Sequence, residues 1–257
     1  MNNKDMYGSK SYIEHFMKVS GSLNIMSSES RKNKVDKILA VIRDYHNQDL
    51  NDLSCLDIGC SVGLITSILS DSFNNIVGID TDKKAIEIAK KSKNKKNISF
   101  IIGDGMNIPF KDNSFDVVIC NHIYEHVPDS KKLMDEIHRV LKKGGFCYFS
   151  AGNRFTFMEQ HYKLPLLSWF PNWIGNYYLR LTGKGKFYEE KHFSYWKIRE
   201  LIRKFGVFDY TPKLIKNPRK YFIKSKLLGH FPARVFPEWF IKLFYFFVPT
   251  YIFIVKK

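Results

Sequence analysis

Cysteine is scarce in this sequence, and its N-terminus lacks a long apolar run. The 257 residues include only four cysteines, and no two of them are spaced C-x-x-C. A disulfide framework and a cysteine zinc site are therefore not predicted, and the cysteines are interpreted as reduced core thiols. The first residues, MNNKDMYGSKSYIEHF, predict no signal peptide, so we expect a cytoplasmic protein.

Acidic residues are also few after residue 150. Residues 1–150 carry 21 Lys and Arg against 19 Asp and Glu, whereas residues 151–257 carry 20 against only 6. The aromatic residues are distributed in the same way, with 12 of 40 before residue 151 and 28 after it. The sequence therefore predicts a near-neutral part followed by a basic, aromatic-rich part, and the second part needs a functional explanation.

Short apolar segments alternate with amphipathic helical patterns in the near-neutral part. Strands are predicted at 53–59, 74–80, 97–104, 114–121 and 146–151, and helices at 29–46, 64–72, 82–93 and 130–145. Further along the chain, helices are predicted at 194–206 and 237–248, and strands at 207–215 and 249–257. This alternation predicts an α/β protein with a mostly parallel sheet covered on both faces, and ligands bind such sheets at the carboxyl ends of the strands.

The segment LDIGCSVG (56–63) joins the first strand to a helix and allows several interpretations. Its GCSVG has the spacing of a nucleophile elbow, which would make Ser61 the nucleophile of a hydrolase. Only about two helices precede it, however, and no HGGG-type loop lies upstream, so the elbow is disfavoured. The dinucleotide fingerprint G-x-G-x-x-G has a different register, so that interpretation is weak as well.

LDIGCSVG also resembles the first motif, D/E-x-G-x-G-x-G, of class I S-adenosylmethionine (SAM) dependent methyltransferases, in the group that includes ubiquinone- and sterol-type enzymes. The resemblance covers residues 50–151, includes the later segments SFDVV and LKKGGFCYFS, and departs from the motif at Ser61. It implies a doubly wound, mostly parallel, seven-stranded Rossmann-like sheet with an antiparallel last strand, and SAM as cofactor. The aromatic-rich residues after 151 would be an insertion in this fold.

The cofactor-binding residues are expected at successive strand ends. They are Asp57, Gly59, Cys60, Ser61, Gly63, Asp80, Thr81, Asp104, Gly105, Met106 and Asn121. An ionised Asp80 can accept hydrogen bonds from both ribose hydroxyls. Asp57 can hold the loop or the ligand's ammonium group. The resemblance implies that Asp104 contacts the adenine amino group, with Met106 beside the ring, and that Asn121 lines the methionine end.

Histidines are the candidates for acceptor-side chemistry, because a base is needed only where the acceptor loses a proton. His126, in HIYEH, is the first catalytic candidate and His192 the second, and His161 is a further histidine in this part of the chain. A metal site at His122 and His126 is disfavoured because their H-x-x-E-H spacing follows a strand rather than lying on a helix. No metal is predicted.

The chain divides into four predicted segments. These are a helical segment at 1–48, a SAM-binding core at 49–151, an acceptor-side insertion at 152–193, and a C-terminal completion of the sheet at 194–257. The last two contain apolar-aromatic stretches rimmed by basic residues, at 164–181 and 236–255. Such stretches favour an anionic membrane surface over RNA, whose binding faces interleave aromatics and charge more finely.

The predicted function is therefore methyl transfer to a lipidic or lipid-linked acceptor, with the protein peripheral at the inner face of a membrane. A simple cap over the cofactor, a soluble small-molecule acceptor and RNA stay open as alternatives for the second part. A SAM-binding regulator is the alternative that is not an enzyme.

Overall fold

A single mixed sheet organises the protein. The computed structural model describes residues 28–93, 95–159, 161–188, 190–223 and 245–257. Within them, seven strands lie in the order β3-β2-β1-β4-β5-β7-β6. The strands are β1 (Ser54–Ile58), β2 (Asn75–Asp80), β3 (Ile98–Ile102), β4 (Phe115–Asn121), β5 (Leu141–Gly152), β6 (Gly206–Asp209) and β7 (Thr250–Lys256). Neighbours among β1 to β5 are parallel, and β7 runs antiparallel to β5 and β6, which confirms the predicted fold class.

Seven α-helices are described around this sheet. They are α1 (Ser28–His46), α2 (Leu64–Leu69), α3 (Lys83–Lys91), α4 (Ser130–Val140), α5 (Asn172–Leu181), α6 (Tyr195–Leu201) and α7 (Thr211–Lys216). Within the described residues, none of the helices has both the length and the apolar character needed to cross a membrane.

The central strands are apolar throughout because both of their faces are covered. In β4, Val117 and Ile119 pack into a cluster with α1 and α3, whereas Val118 and Cys120 pack into a second cluster with α4 and α6. Successive side chains of a strand point to opposite faces, so a strand between two helical layers needs apolar residues at every position. All four cysteines are free thiols buried in these layers, as the sequence predicted.

Three predicted elements end at least five residues earlier than expected. One of them is the helix predicted at 194–206, which ends at Leu201 and is followed by a strand that begins at Gly206. The helix predicted to reach residue 145 ends at Val140, because Leu141 already pairs with Phe115 and begins β5. The strand predicted at 207–215 ends at Asp209, because Thr211 begins α7 and Pro212 lies in its first turn. At Leu141, strand pairing overrides the helical pattern. At Pro212, the backbone has no N–H to donate to a strand ladder, so proline disfavours a longer strand there.

Residues 153–193, called the cap below, follow β5, and those of them that the structure describes form no long strand. The cap contains α5 and a short 3-10 turn at Leu167–Trp169. It has a small core of its own, formed by Tyr162, Leu164, Leu167, Leu179 and Tyr188. Part of its aromatic content is therefore structural. The predicted helix at 237–248 lies outside the described residues except for a short turn at Tyr245–Phe247, and the four predicted segment boundaries stay predictions.

Candidate functional site

The loop after β1 crosses the carboxyl edge of the sheet and is fixed to β2. The backbone N–H groups of Gly59 and Cys60 both donate to the carbonyl of Ile79, at 2.8 and 3.0 Å. Gly59, Ser61 and Gly63 all have positive φ, at 72°, 50° and 77°. The loop therefore takes a sharp turn into α2, in which left-handed backbone occurs three times within five residues.

The two glycines are required by the packing of the protein itself. A Cβ at Gly59 would lie 2.2 Å from Cδ1 of Ile123, and one at Gly63 would lie 2.5 Å from Cζ of Phe100. Together with positive φ, these contacts make a side chain at either position strained, since Ile123 or Phe100 would have to move. The sequence-based interpretation, backbone lying against a ligand, is thus not needed to explain why glycine stands there.

Asp80, the last residue of β2, holds this loop through both of its carboxylate oxygens. Oδ2 accepts the N–H of Ser61 at 2.8 Å, and Oδ1 accepts the N–H of Asp82 at 2.9 Å. Burial raises the pKa of Asp80 above its usual value, and the backbone donors oppose this shift. Each oxygen can accept a further hydrogen bond, so the carboxylate can hold the loop and a diol at the same time. Thr81, beside it, is exposed.

Asp57 lies deeper than Asp80, in β1. Its side chain accepts a hydrogen bond from the Thr66 hydroxyl at 2.6 Å, and the residue is only 5% exposed. Burial raises the pKa of Asp57 to about 7. The Thr66 hydrogen bond acts to lower this pKa, and the nearby charge of Asp80 acts to raise it. A buried carboxylate of this kind is a suitable partner for a cation.

A cavity of about 70 Å³ opens where the loop meets β1 and β4. Its lining includes five of the predicted cofactor-binding residues, which are Asp57, Gly59, Cys60, Ser61 and Asn121. Arg31 of α1 also lines it, and no motif in the sequence predicts this position. Closed ligand pockets usually have about 300–1,000 Å³. The cavity therefore fits one end of a cofactor, whose remainder would extend along the open edge toward Asp80.

The predicted adenine-side residues form a tight turn after β3. Oδ1 of Asp104 accepts the N–H of Met106 at 2.8 Å. Gly105 is buried, and a Cβ there would lie 2.9 Å from Cδ1 of Leu133. Met106 is half-buried on the second apolar cluster. The turn leaves the other carboxylate oxygen of Asp104 available as an acceptor at the same sheet edge.

Histidines from the loop after β4 and from two places in the cap lie close together. The ring centroids of His126 and His161 are 5.1 Å apart, and those of His161 and His192 are 6.2 Å apart. Glu125, which is fully buried, contacts Nδ1 of His122 at 2.9 Å, and the His122 backbone has a φ of 57°. The structure thus brings both predicted catalytic histidines together with His161.

The ionisation of these groups differs because their surroundings differ. Burial lowers the pKa of His126, and burial also lowers the pKa of His161 to about 4. Burial opposes the charged form of His192 as well, but Glu159 and Glu125 together raise the pKa of His192 above its ordinary value. The pKa of Glu125 is lowered to about 2, because the neighbouring histidines outweigh its burial.

Comparison with known proteins identifies the family of one domain of this chain. Residues 56–149 match the model of a methyltransferase domain. The chain contains a methyltransferase domain. The match begins within β1 and ends within β5, so it includes the strand ends that carry the predicted cofactor site. The methyltransferase domain that the resemblance implied, and SAM as its class of cofactor, are therefore confirmed.

Curated relatives of this methyltransferase domain include enzymes of quinone metabolism. The chain is 42% identical to a demethylmenaquinone methyltransferase of Lactococcus lactis over 103 residues, which are 38% of this chain and 41% of that protein. It is 27% identical to a ubiquinone biosynthesis O-methyltransferase of Hydrogenovibrio crunogenus, over 63% of this chain and 64% of that protein. The chain therefore spans less than two thirds of the length of these relatives.

Solved structures support the fold of the methyltransferase domain beyond the matched segment. The crystal structure of a SAM-dependent methyltransferase from Thermotoga maritima, described as a possible histamine N-methyltransferase, superposes with a TM-score of 0.50 at 19% identity. The superposition covers 95% of this chain and 99% of that one. At this identity the likeness establishes the fold alone, which hosts many acceptors.

Ser61 occupies the middle glycine position of the methyltransferase motif with a left-handed backbone, so we expect Ser61→Gly to be tolerated. Its N–H bond to Asp80 needs no side chain, and glycine adopts a φ of 50° without strain. Affinity for S-adenosylhomocysteine, measured by calorimetry, should change by less than about threefold, which is below 1 kcal/mol. Loss of function in this variant would instead support the nucleophile interpretation of Ser61.

Proposed function

We propose that this protein is a SAM-dependent methyltransferase whose acceptor is a lipidic, quinone-like molecule reached at an anionic membrane surface. Two observations support the acceptor class. Two of the curated relatives are named for demethylmenaquinone and ubiquinone biosynthesis, and the cap, which also contains His161 and His192, exposes an apolar surface. The second observation carries the proposal, because it belongs to this chain.

The apolar surface lies along one side of α5. Trp173, Tyr177 and Leu181, called the α5 face below, are 74%, 63% and 67% exposed. Residues four apart lie on one side of a helix, so the three side chains form a continuous stripe. Large apolar side chains exposed together are typical of a surface that meets a membrane or a partner. Tryptophan and tyrosine also favour the interface between lipid and water.

Basic residues border the α5 face. Arg180 lies on the same helix and contacts the exposed ring of Phe187, with Cζ 5.5 Å from the ring centroid. Lys184 and Lys186 follow in the next turn, and Lys184 is exposed. Since residues 151–257, which include the cap, carry 20 basic and 6 acidic residues, we expect this part of the chain to be attracted to anionic lipid. An amphipathic surface of this composition binds in the plane of the membrane.

The reaction requires alignment more than strong acid or base chemistry. When bound, SAM supplies a methyl group on a sulfonium whose leaving group is neutral. The chain's contribution is to hold the cofactor along the edge from Asp57 to Asp104 and to hold the acceptor on the histidine side. For an acceptor hydroxyl, a neutral imidazole can take the proton, and His126 lies in the loop after β4. His192 is the second candidate for this role.

Transfer of a labelled methyl group tests the proposed activity directly. The protein is incubated with methyl-labelled SAM and either reduced demethylmenaquinone in phosphatidylglycerol vesicles or a soluble naphthoquinol without the prenyl chain. We expect label in the prenylated product and less in the soluble one. Binding of S-adenosylhomocysteine without transfer to any acceptor would favour a regulatory protein instead.

Removing the α5 face should weaken membrane binding. We expect Trp173→Ser/Tyr177→Ser/Leu181→Ser to reduce flotation with phosphatidylglycerol vesicles at least tenfold in affinity, since burying even one such side chain contributes about 1.5–3 kcal/mol. S-adenosylhomocysteine binding should be unchanged, because the three residues are exposed in the cap. The matched control is Ile88→Ser on α3, an apolar residue 45% exposed outside the cap. Equal flotation of the wild type, the triple variant and Ile88→Ser would refute the proposed membrane surface. A mobility shift with RNA that weakens as salt is added would support RNA as the partner instead.

A further inference from the structure

We infer that the cap holds one divalent metal ion of the zinc type between Glu159, His161 and His192. One ligand atom from each of these residues lies within 4.8 Å of the other two. Glu159 is fully buried, and the side chain of His192 is only 5% exposed. Two imidazoles and a carboxylate that converge in a buried place are a donor set that zinc and its neighbours in the first transition row prefer.

The separation of one pair of ligand atoms matches a bridging ion better than a hydrogen bond. Nε2 of His192 lies 3.6 Å from Oε1 of Glu159, which is too far for a hydrogen bond. Two ligand atoms that are each about 2.0–2.2 Å from a tetrahedral zinc ion lie roughly 3.3–3.6 Å from one another. The observed separation therefore fits a pair of ligands with an ion between them.

Unused hydrogen-bonding capacity points to the same place. Among the described residues, neither ring nitrogen of His192 has a hydrogen-bond partner, although both are buried. Oε2 of Glu125, which borders the cluster, is likewise buried without one. Buried polar atoms of native proteins are nearly always satisfied, so an ion or another ligand is expected to occupy the space that these atoms surround.

The surrounding structure orients the ligands. Oε1 of Glu159 accepts the backbone N–H of His161 at 3.0 Å, and Oε2 accepts the backbone N–H of Tyr162 at 2.6 Å. A Cβ at residue 152 would lie 2.7 Å from Nδ1 of His192, so Gly152 lets this ring lie directly against β5. Fixing a ligating carboxylate through its own hydrogen bonds is the usual way in which proteins hold a metal site rigid.

Three protein ligands leave one position of a tetrahedral ion open, as in catalytic rather than structural zinc sites. A second group, Glu125, His126 and His161, shares His161 and borders the same space. We assign the open position to an oxygen of the acceptor, with His126 beside it and His192 as a ligand rather than a base. This last step rests on the proposed function, whereas the metal site does not.

Metal binding can be measured on the full chain without any activity. Protein without a histidine tag is treated with a chelator, dialysed, and titrated with Zn²⁺ against a chromophoric chelator; Co²⁺ is added to a second sample, and its visible spectrum reports tetrahedral coordination. We expect one equivalent of either ion. His161→Ala should lower the Zn²⁺ affinity by more than about 100-fold, beyond the 10–100-fold effect of residues that only support ligands.

The matched control is His138→Ala, because His138 lies on α4, away from the cluster in the cap, and its ring lies 5.2 Å from the Phe205 ring. It should bind Zn²⁺ like the wild type. Circular dichroism checks folding, and Glu159→Gln, which keeps the shape of the side chain, provides a second variant that should lose the ion. The inference is overturned if the wild type takes up no equivalent, or if His161→Ala and His138→Ala bind alike. Retained binding in His192→Ala with loss in His126→Ala would overturn the assignment to these three ligands.

The two proposals fail in different measurements. S-adenosylhomocysteine calorimetry is run on the same samples. Absent metal with intact S-adenosylhomocysteine binding refutes only the metal site. Intact metal binding without S-adenosylhomocysteine binding refutes only the proposed cofactor function.

Discussion

Asp80→Ala is expected to weaken S-adenosylhomocysteine binding by about 100- to 1,000-fold. The carboxylate ends β2 at the edge where the ribose hydroxyls are expected, and its two oxygens also fix the glycine loop through Ser61 and Asp82. A hydrogen bond to a charged group contributes about 1.5–3 kcal/mol, so losing two of them to a ligand corresponds to about 3–6 kcal/mol, of which loop relaxation recovers a part. Isothermal titration calorimetry measures the change.

Two companion variants separate the ligand contact from loop damage. Asp80→Asn keeps one acceptor oxygen for the loop but cannot accept from both hydroxyls of a diol, so an intermediate affinity is expected. Asp71→Ala removes an exposed acid that pairs with Lys95 and should leave the affinity unchanged. If Asp80→Ala folds and still binds like the wild type, the assignment of the cofactor edge is wrong.

The position of the predicted cofactor-binding residues at one sheet edge could be predicted from the sequence because it is encoded locally. Strand ends, glycines and acids follow one another at short intervals, and parallel strands place their carboxyl ends on one side whatever the rest of the chain does. The sequence pattern alone thus assigns Asp57, Ser61 and Asn121 to one edge, and all three line the same cavity. Their roles toward the cofactor stay predictions.

Residues that act through tertiary packing could not be predicted in this way. Arg31 reaches the cavity only because α1 packs over β1 and β4, and no motif surrounds it in the sequence. The group formed by Glu159, His161 and His192 exists only once the cap folds back on itself, and no sequence pattern connects these side chains, so no metal was predicted. At Leu141 the helical pattern continues past the point where pairing with Phe115 has already ended α4.

Asp57→Asn should make the protein more resistant to unfolding at neutral pH while weakening the cofactor site. The pKa of Asp57 is raised to about 7 in the folded state from 3.8, because burial disfavours its charged form. Between these values the folded protein keeps a proton that the unfolded chain loses. The stability contributed by the neutral carboxyl is therefore complete below pH 4 and lost as the pH rises toward 7.

Asparagine cannot ionise, so this loss should disappear in the variant. One pKa unit corresponds to 1.36 kcal/mol, which gives about 4 kcal/mol over the interval. Relative to the wild type, the free energy of unfolding of Asp57→Asn should thus rise by about 2–4 kcal/mol between pH 4 and 7.5, measured by urea titration. Asp71→Asn, at an exposed acid, is the control. A constant difference between variant and wild type would contradict the raised pKa.

The same substitution should have the opposite effect on the ligand. Asp57 lines the cavity that fits one end of the cofactor, and an ionised carboxylate there can pair with an ammonium group. We expect S-adenosylhomocysteine to bind the wild type more tightly as the pH rises from 6 to 8, and Asp57→Asn to bind about tenfold more weakly at pH 8 without this pH dependence. A buried acid that lowers stability in the free protein but strengthens binding is retained for function, since replacing it for stability alone would be simple. Greater resistance to unfolding with undiminished binding would show that Asp57 serves only the loop and Thr66.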